Sequence, residues 1–407
     1  MREQTYAHPF VIFFLVLPYG ISSGFVSVTL PYFLTQNGFT VATAAGITAL
    51  GLSANLWRFI WAPLTDLTLS LHKWYGIGIS FCSLTLLMLC LIPLHTDATL
   101  ILTIIVLLSQ VASTFVVSPV GGFMAKTIEV GKKGRAAGWY QAGNLGGMGI
   151  GGGAGIWLAT QFSYQLSVII IALTMLLCAI ALYYVPQVVA DKTTSVKEGF
   201  AKMFADIREM FRSRVAIYTT LLIITPISAG AAAYVWSSVS DNWKVNADTV
   251  ALVTGVLSGL VSAVGCVVGG WTADKVGMWW SYFGGGLFMA FVTLVMAISG
   301  FNPFTYIAGV LAYAFMIGFA YAAFSAVLLH AIGKGLASTK YALLSSLGNI
   351  GPVFMTSLDG WMHDQYGIKG MLVGESVIGI VFIIIFLLAL YRFKIADLTA
   401  LGRPVRS

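Results

Sequence analysis

Charged side chains are scarce in this sequence. Only 9% of its 407 residues are Asp, Glu, Lys or Arg, whereas a soluble globular domain carries about 25%. Hydrophobic residues make up 58%, and they form runs of about 20 residues, the length that a helix needs to cross about 30 Å of hydrocarbon. The composition excludes a soluble domain and favours an all-α integral membrane protein, since porin-type strands of alternating polarity are not seen.

Cysteine is also rare, and the motifs of common enzymes and metal sites are missing. The four cysteines lie inside apolar spans and form no Cys-x-x-Cys or Cys/His cluster, so we expect neither a disulfide framework nor a metal. No phosphate-binding Gly-Lys-Ser/Thr loop occurs, which argues against an ATP-driven pump. No Ser/His/Asp arrangement rises above chance, so the sequence predicts a protein that is not an enzyme and needs no cofactor.

Twelve apolar spans can be counted, and one long polar interruption from 186 to 214 divides them into two sets of six. The predicted organisation is an N-terminal six-helix half over 1–185, a cytoplasmic linker over 186–214 and a C-terminal six-helix half over 215–407. The predicted spans are 10–34, 43–64, 75–94, 98–124, 136–160, 164–185, 215–239, 249–271, 279–299, 303–329, 337–358 and 369–391.

The basic residues are distributed unevenly between the two sides of the membrane. If the N-terminus is cytoplasmic, all but three of the 22 Lys and Arg residues lie on the cytoplasmic side or linker. The exceptions are Lys244 and Lys369 outside, and Arg58 within a span. Because Lys and Arg favour the cytoplasmic side, we expect both termini inside, in a cell inner membrane. The linker segment 195–211 has apolar residues at helical spacing, which predicts either an amphipathic helix at the membrane surface or a soluble linker helix.

Three short patterns repeat between the two halves at nearly constant spacing. A basic residue precedes Gly-Asn-aliphatic-Gly by eight positions at Arg135 and again at Lys340, an offset of 205 residues. Asp66 ends span 2 as Asp274 ends span 8, and Pro18 matches Pro226, both at an offset of 208. Three matches in register indicate an internal duplication, as in many transporters.

These patterns resemble the major facilitator superfamily, a family of two six-helix halves with a Gly-x-x-x-Asp-Arg/Lys-x-Gly signature. The segment Gly270–Gly277, GWTADKVG, matches that signature, whereas the first half keeps only Asp66. The segment Phe59–Asp66, FIWAPLTD, resembles the peptide, acetyl-CoA and drug transporter branch, which includes AmpG-type muropeptide permeases and siderophore importers. The resemblance implies cytoplasmic gating by Asp66 and Asp274, with the basic residues Arg135, Lys275 and Lys340 near them.

Arg58 is the charge that stands out, because no other charged residue occurs in its span before Asp66, eight positions later. A charge at membrane depth costs roughly 3 kcal/mol or more and tends to face a cavity. Its position about 12 Å from Asp66 predicts either a ligand for an anionic substrate or gating partner, or a side chain that snorkels to the inner surface.

Glu375 lies about six residues into span 12, and an intramembrane carboxylate can carry a proton. The alternative is a satisfied acid near the outer mouth. Asp359 and Asp364 are predicted to be interfacial. Further intramembrane polar or aromatic groups can line a cavity or form interhelical contacts: Asn55, Tyr19, Gln110, Gln141, Asn144, Trp236, Tyr313, Tyr321 and Asn349.

Span 5 holds eight glycines between 143 and 155. Small residues let membrane helices approach closely, so this span predicts either a sliding surface or simple tight packing.

The sequence thus predicts a monomeric secondary transporter that works by alternating access in the lipid bilayer, with a small-molecule substrate, protons as partners and no nucleic acid. The expected activity is proton-coupled import of a polar or anionic solute such as a muropeptide or siderophore. Drug or metabolite efflux is the alternative, and a membrane sensor with a transporter fold is the alternative of another class.

Overall fold

The computed structural model of the chain describes residues 6–129, 133–187, 196–210, 214–332 and 343–392. Within these ranges the regular structure is helical and no strand occurs. The chain divides into two compact units, the first formed by residues 1–39 and 50–202 and the second by residues 40–49 and 203–407. The predicted boundaries at 185 and 215 remain a prediction.

The first unit contains six long helical segments. Two of them include a π-helical turn, at Phe25–Thr29 in the first segment and at Ile150–Ala154 in the fifth. The segments are α1 (Val11–Gln36), α2 (Val41–Leu67, of which residues 41–49 belong to the second unit), α3 (Leu71–Met88), α4 (Thr99–Thr127), α5 (133–161) and α6 (Tyr164–Tyr184).

The glycines of α5 identify α1 as its close neighbour. A β-carbon on Gly147 would lie 2.8 Å from the backbone nitrogen of Ile21, and one on Gly151 would lie 2.8 Å from that of Phe25. The Thr29 hydroxyl donates to the carbonyl oxygen of Gly151 at 2.8 Å. These contacts are tight packing of two backbones, the close approach that small residues permit in membranes.

The second unit contains the linker helix's C-terminal part and the remaining helices, with two short 3₁₀ segments at Ala231–Tyr234 and Ser240–Trp243. The long elements are α7 (Val196–Met210), α8 (Arg214–Ile223), α9 (247–276), α10 (Met278–Ile298), α11 (Pro303–Ile332), α12 (350–366) and α13 (368–392).

Helices α9 and α11 pack closely in the second unit. A β-carbon on Gly269 would lie 2.6 Å from the Cα atom of Phe319, and the Ser262 hydroxyl donates to the Ala314 carbonyl at 2.7 Å. A separate apolar cluster around Tyr218 and Trp279 joins α8, α10, α11 and α13. Together these contacts fix the frame that holds the polar residues described below.

Seven segments of the described residues are long and apolar enough to cross a membrane. The last of these, Leu343–Ala389, contains both α12 and α13. Helices at 41–67, 71–88, 133–161 and 214–223 occupy the other predicted spans.

The prediction of one continuous helix over 215–239 is wrong. Helix α8 ends at Ile223, three residues before Pro226, and the chain then takes left-handed conformations at Ser228 (φ 57°) and Gly230 (φ 64°). Proline lacks an N–H donor and disfavours helical conformation in the residue before it. Non-helical backbone at membrane depth needs burial in protein or a wet cavity, and the 3₁₀ segment that follows is largely buried.

Candidate functional site

Helices α12 and α13 form a hairpin joined at a single residue. Gly367 has φ 68° and ψ −175°, a conformation that is essentially restricted to glycine. Asp359 and Glu375 each lie eight positions from this glycine, on opposite arms. At 1.5 Å per helical residue, both lie about 12 Å along the helix from the turn. The two acids are therefore at the same depth on neighbouring antiparallel helices.

Asp359 is completely buried, at 0% exposure. Both of its carboxylate oxygens are enclosed, and neither has a hydrogen-bond partner among the described residues. The prediction that Asp359 is interfacial is wrong, because α12 continues eight residues beyond the predicted end at 358. The charge of Asp359 marks the end of the predicted span at 358, whereas the helix continues past it and places the carboxyl group inside the protein.

Glu375 is partly buried as a residue, but its carboxyl group is enclosed. The Tyr313 hydroxyl of α11 donates a hydrogen bond to Glu375 Oε1. The other oxygen, Oε2, is buried without a partner in the described part of the chain. The backbone of Ala232, in the 3₁₀ segment that follows the break in α8, also interacts with this carboxyl group.

The next residue, Ser376, sets the rotation of α13. Its hydroxyl lies 2.6 Å from that of Thr293 and donates to the Ala290 carbonyl at 2.9 Å, both on α10. Since successive residues on a helix are about 100° apart, this anchor on α10 leaves Glu375 directed toward α11. The position of the carboxyl group thus follows from a neighbouring polar contact.

Aromatic rings enclose the acid site on one side. The Trp236 ring packs edge-on against Tyr313 at 5.6 Å and against Trp243 at 6.3 Å between centroids. The Tyr306 hydroxyl donates to the Trp236 carbonyl at 3.0 Å. All four side chains are at most 2% exposed. Trp236 and Tyr313, predicted as candidates for lining a substrate cavity, therefore lie in an enclosed cluster beside Glu375.

The two carboxyl groups interact electrostatically with each other and with Tyr313. No Lys, Arg or His of the described ranges forms an ion pair with either acid. Two carboxylates in a low-dielectric interior repel each other, and a buried charge without a partner is costly. The arrangement can accept a small cation, of which a proton is the smallest.

Arg58 lies in the first unit, and it is partly buried on α2. Asn55 lies three positions earlier, on the same face of the helix, and its Oδ1 accepts a hydrogen bond from the Tyr19 hydroxyl of α1 at 3.1 Å. These three predicted residues form one polar surface that is partly accessible. An arginine beside amide and hydroxyl groups can bind a carboxylate or phosphate through its fork of N–H donors.

The remaining predicted binding residues lie on several other segments of the described structure. Gln110 is 2% exposed, and its Nε2 donates to the Ser22 hydroxyl at 2.9 Å, an interhelical contact. Asn349 donates to carbonyl groups of its own chain segment at Ser345 and Ser346. Tyr321 is 48% exposed. The last two, Gln141 and Asn144, are partly buried on α5.

The gating residues fall mostly outside the described residues. This applies to Lys340 entirely and to the side chains of Asp66, Arg135 and Asp274. Lys275 is exposed at the end of α9, with its ammonium group 4.9 Å from the centre of the Trp271 ring. Their proposed pairing remains a prediction.

A polar cluster lies near the hairpin turn of the second unit. The Asp364 carboxylate accepts a hydrogen bond from the backbone N–H of Ala42 at 3.0 Å, in the first turn of α2. His363 Nδ1 lies 3.3 Å from the same carboxylate, and its Nε2 lies 3.2 Å from the Asn242 amide. One turn earlier, Gly360 packs against Ala42 and Ala45. Asp364 therefore supports the N-terminus of a helix, where negative charge is favourable.

Asp359 is the functional candidate that the sequence analysis missed. Its signal was present in the spacing, because Asp359 and Glu375 are equidistant from Gly367. That symmetry becomes meaningful only if the two helices meet at the glycine without a loop. The apolar pattern alone predicts a ten-residue connection over 359–368, which begins at the charged residue Asp359.

Comparison with known families gives a match over residues 12–344 to the model described as Major Facilitator Superfamily. No curated protein sequence matches the chain. A crystal structure of a D-xylose-proton symporter is similar with a TM-score of 0.74 at 12% identity, over 93% of this chain and 96% of that one. The nucleoside transporter NupG gives 0.71 at 10%, over 93% and 98%.

A peptide transporter POT in complex with sulfate gives a TM-score of 0.70 at 13% identity, over 96% of this chain and 97% of that chain. At these identities the solved structures establish the shared fold, twelve helices in two pseudo-symmetric halves. The family match covers most of the sequence. The chain belongs to the Major Facilitator Superfamily, and it is a membrane transporter rather than an enzyme.

Proposed function

We propose that this protein is a proton-coupled secondary transporter that imports a polar or anionic solute across a cell inner membrane by alternating access. The observation that carries the proposal is the enclosed carboxyl group of Glu375, held by Tyr313 at membrane depth without an ion-pair partner among the described residues. Such a group marks a proton or ion pathway more often than a structural site.

The coupling role follows from the surroundings of Glu375. Burial makes a charged carboxylate unfavourable, so the group takes up a proton when it is enclosed and releases one when it is hydrated. A transporter that alternates between two openings exposes the group first to one side and then to the other. A protein of similar fold is named as a D-xylose-proton symporter. Proton coupling is therefore compatible with this architecture.

The substrate side of the proposal rests on the polar surface formed by Arg58, Asn55 and Tyr19. The guanidinium group favours a substrate with a carboxylate or phosphate. The FIWAPLTD segment, 59–66, supports the branch of muropeptide and siderophore permeases through sequence resemblance alone. The solute class is therefore proposed as anionic or strongly polar, with muropeptides and siderophores as the first candidates.

Several further features belong to the same proposal. The distribution of basic residues supports cytoplasmic termini. The matched positions of Asp66 and Asp274 support a cytoplasmic gate with Arg135, Lys275 and Lys340 as neighbours. A monomer is sufficient for alternating access between two halves of one chain.

The first experiment is a ligand screen on the purified protein. Thermal unfolding is recorded with muropeptides, ferric siderophores and amphipathic drugs, and a bound substrate raises the unfolding temperature. Hits are then tested for uptake into proteoliposomes with an imposed proton gradient, acidic outside. Accumulation that a protonophore abolishes supports proton-coupled import.

The alternatives give different outcomes in the same assay. An exporter accumulates substrate only when the gradient is reversed relative to the protein's orientation. A sensor binds its ligand in the thermal assay but moves none across the membrane. Uptake that is insensitive to the proton gradient and to protonophores would contradict the coupling part of the proposal.

A further inference from the structure

We infer that Asp359 and Glu375 act as one proton-binding unit, which holds a single proton between the two carboxyl groups when the site is enclosed. The inference deepens the proposed function, on which it rests, by adding a second acid to the coupling site and by fixing how many protons the pair holds. Asp359 thereby becomes a proton-binding residue that the sequence alone does not reveal.

The geometry of the hairpin is the first argument. The single-residue turn at Gly367 places the two acids at equal depth on adjacent arms. The arms remain close beyond the turn, since a β-carbon on Gly374 would meet the side chain of Met362. The backbone therefore places the two acids at the same level of two closely packed arms.

The available oxygen atoms are the second argument. Tyr313 already donates to Glu375 Oε1, whereas Glu375 Oε2 and both oxygens of Asp359 have no hydrogen-bond partner in the ranges described. Buried polar atoms are nearly always hydrogen-bonded. A proton bound by either acid supplies an O–H donor to a site in which three buried carboxyl oxygens have no partner in the described ranges.

The charge balance is the third argument. The titratable group facing the pair from α11 is Tyr313, and the 3₁₀ segment contributes the backbone of Ala232. Helix α10 contributes the uncharged partners of Ser376. One turn toward Gly367, His363 contacts Asp364 and Asn242, not the pair. With no facing cation among these groups, two ionised carboxylates repel each other, and the first proton removes that repulsion. It therefore binds more tightly than a second proton, so the pair loads in two separate steps.

Infrared spectroscopy of the purified full-length protein tests this inference without a substrate. Protonated carboxylic acids have a carbonyl stretch separate from that of carboxylates, and it shifts in D₂O. Spectra of the wild type are recorded over a pH series, and spectra of the double variant D359N/E375Q are subtracted. The remaining signal belongs to the pair.

The expected difference signal has two separate titration steps, with one protonated acid between them at neutral pH. Asp359→Asn and Glu375→Gln should each leave a single step. Tyr313→Phe should shift the carbonyl band while retaining both steps, because it removes one hydrogen bond and no acid. The exposed carboxylate Asp248 provides the control, and Asp248→Asn should leave the difference signal unchanged.

Three results would overturn the inference. One is a single step in the wild type that Asp359→Asn leaves unaltered. Another is the absence of a protonated acid signal at neutral pH. The third is a signal that disappears in sodium chloride but not in choline chloride, which would make the occupant a sodium ion. Should variants at Asp359 fail to fold, the spectra of Glu375→Gln are subtracted instead of those of the double variant, and the wild-type titration and Tyr313→Phe still decide the matter.

Failure here is distinguishable from failure of the proposed function. If uptake is proton-driven but the two-step signal is absent, the transport proposal stands and the inference about the acid pair is rejected. If the two-step signal is present but uptake does not depend on the proton gradient, the acid pair stands and the proposal of proton coupling is rejected.

Discussion

The two units handle charge at membrane depth in opposite ways. In the first unit, Arg58 lies on a partly accessible surface with Asn55 and Tyr19. In the second unit, the carboxyl groups of Asp359 and Glu375 are enclosed, with aromatic rings beside them. An accessible cation is suited to bind an anionic solute, whereas enclosed acids are suited to hold a proton. The two units therefore carry polar groups of opposite charge in different degrees of exposure.

Their backbones differ at matched positions as well. Pro18 lies within the continuous helix α1, in which the Thr29 hydroxyl of the π turn donates to the carbonyl oxygens of Gly151 and Gly152 on α5. Pro226 follows the end of α8, and the chain beyond it is irregular. The Tyr282 hydroxyl donates to the Ile227 carbonyl in this break, and the chain beyond brings the backbone of Ala232 to the acid site. Matched prolines therefore lie in different backbone structures in the two units.

The largest expected effect comes from Glu375→Gln, which removes a carboxyl group of the proposed proton site in the second unit while keeping the size of the side chain. We expect loss of gradient-driven accumulation, with counterflow exchange retained, because exchange does not require an empty carrier to release a proton. Uptake and counterflow in proteoliposomes measure the two activities, with Asp248→Asn as the matched exposed control. Wild-type accumulation by Glu375→Gln would remove the residue from the coupling site.

Arg58→Ala tests the first unit in the same way. Loss of a charged hydrogen-bonding partner costs about 3 kcal/mol, which corresponds to roughly a 100-fold weaker apparent affinity. Arg58→Lys keeps the charge but not the paired donors, so we expect an intermediate loss. Concentration dependence of uptake, with membrane insertion checked by expression level, measures the effect. Unchanged uptake by Arg58→Ala would indicate snorkelling instead.

Gly147→Ala probes the tight packing between α1 and α5 in the first unit. The added methyl group would lie 2.8 Å from the backbone nitrogen of Ile21 and 2.9 Å from the Cα atom of Gly20. Overpacking of this kind costs about 1 to 3 kcal/mol, so the unfolding temperature should fall. Gly146→Ala is the matched control, since its methyl group would find only a Phe13 ring atom, at 3.9 Å. Equal unfolding temperatures for the two variants would argue against rigid packing here.

The smallest expected effect is local to the second unit. Asp364→Ala removes the carboxylate that accepts from Ala42, and a lost helix cap costs about 1 kcal/mol. Amide hydrogen exchange in the first turn of α2 should then accelerate about fivefold. Gln365→Ala, at the exposed neighbouring position, should change nothing. If both variants exchange at the wild-type rate, the contact contributes little to the helix end.

The fold could largely be predicted from the sequence, because the length of the hydrophobic runs and the distribution of basic residues both indicate membrane-spanning helices. The matched motifs at Asp66 and Asp274, and at Arg135 and Lys340, also indicated the internal duplication. Glu375 could be proposed from its apolar neighbours alone. These features are local in sequence, so the pattern of residues was sufficient to find them.

The parts that escaped prediction depend on packing. The break after Ile223 is stabilised by groups distant in sequence, since the Tyr282 hydroxyl donates to the Ile227 carbonyl and the Ser228 hydroxyl donates to the Tyr282 carbonyl. Asp359 required knowing that α12 runs on to Gly367. Gln110 and Asn349 were plausible cavity residues until their hydrogen bonds to nearby groups were known. The hydrogen-bond partner of a polar side chain can lie on another helix or in its own helical turn, and the sequence does not indicate which of the two applies.

The one-residue turn at Gly367 has a consequence for timing. Two helical arms joined without a flexible loop cannot slide past each other, so the hairpin moves as one lever. Asp359 and Glu375 sit at equal distance from its corner, and any tilt of the hairpin changes their hydration at the same moment. The two acids would therefore open to water and close again in a single step of the transport cycle.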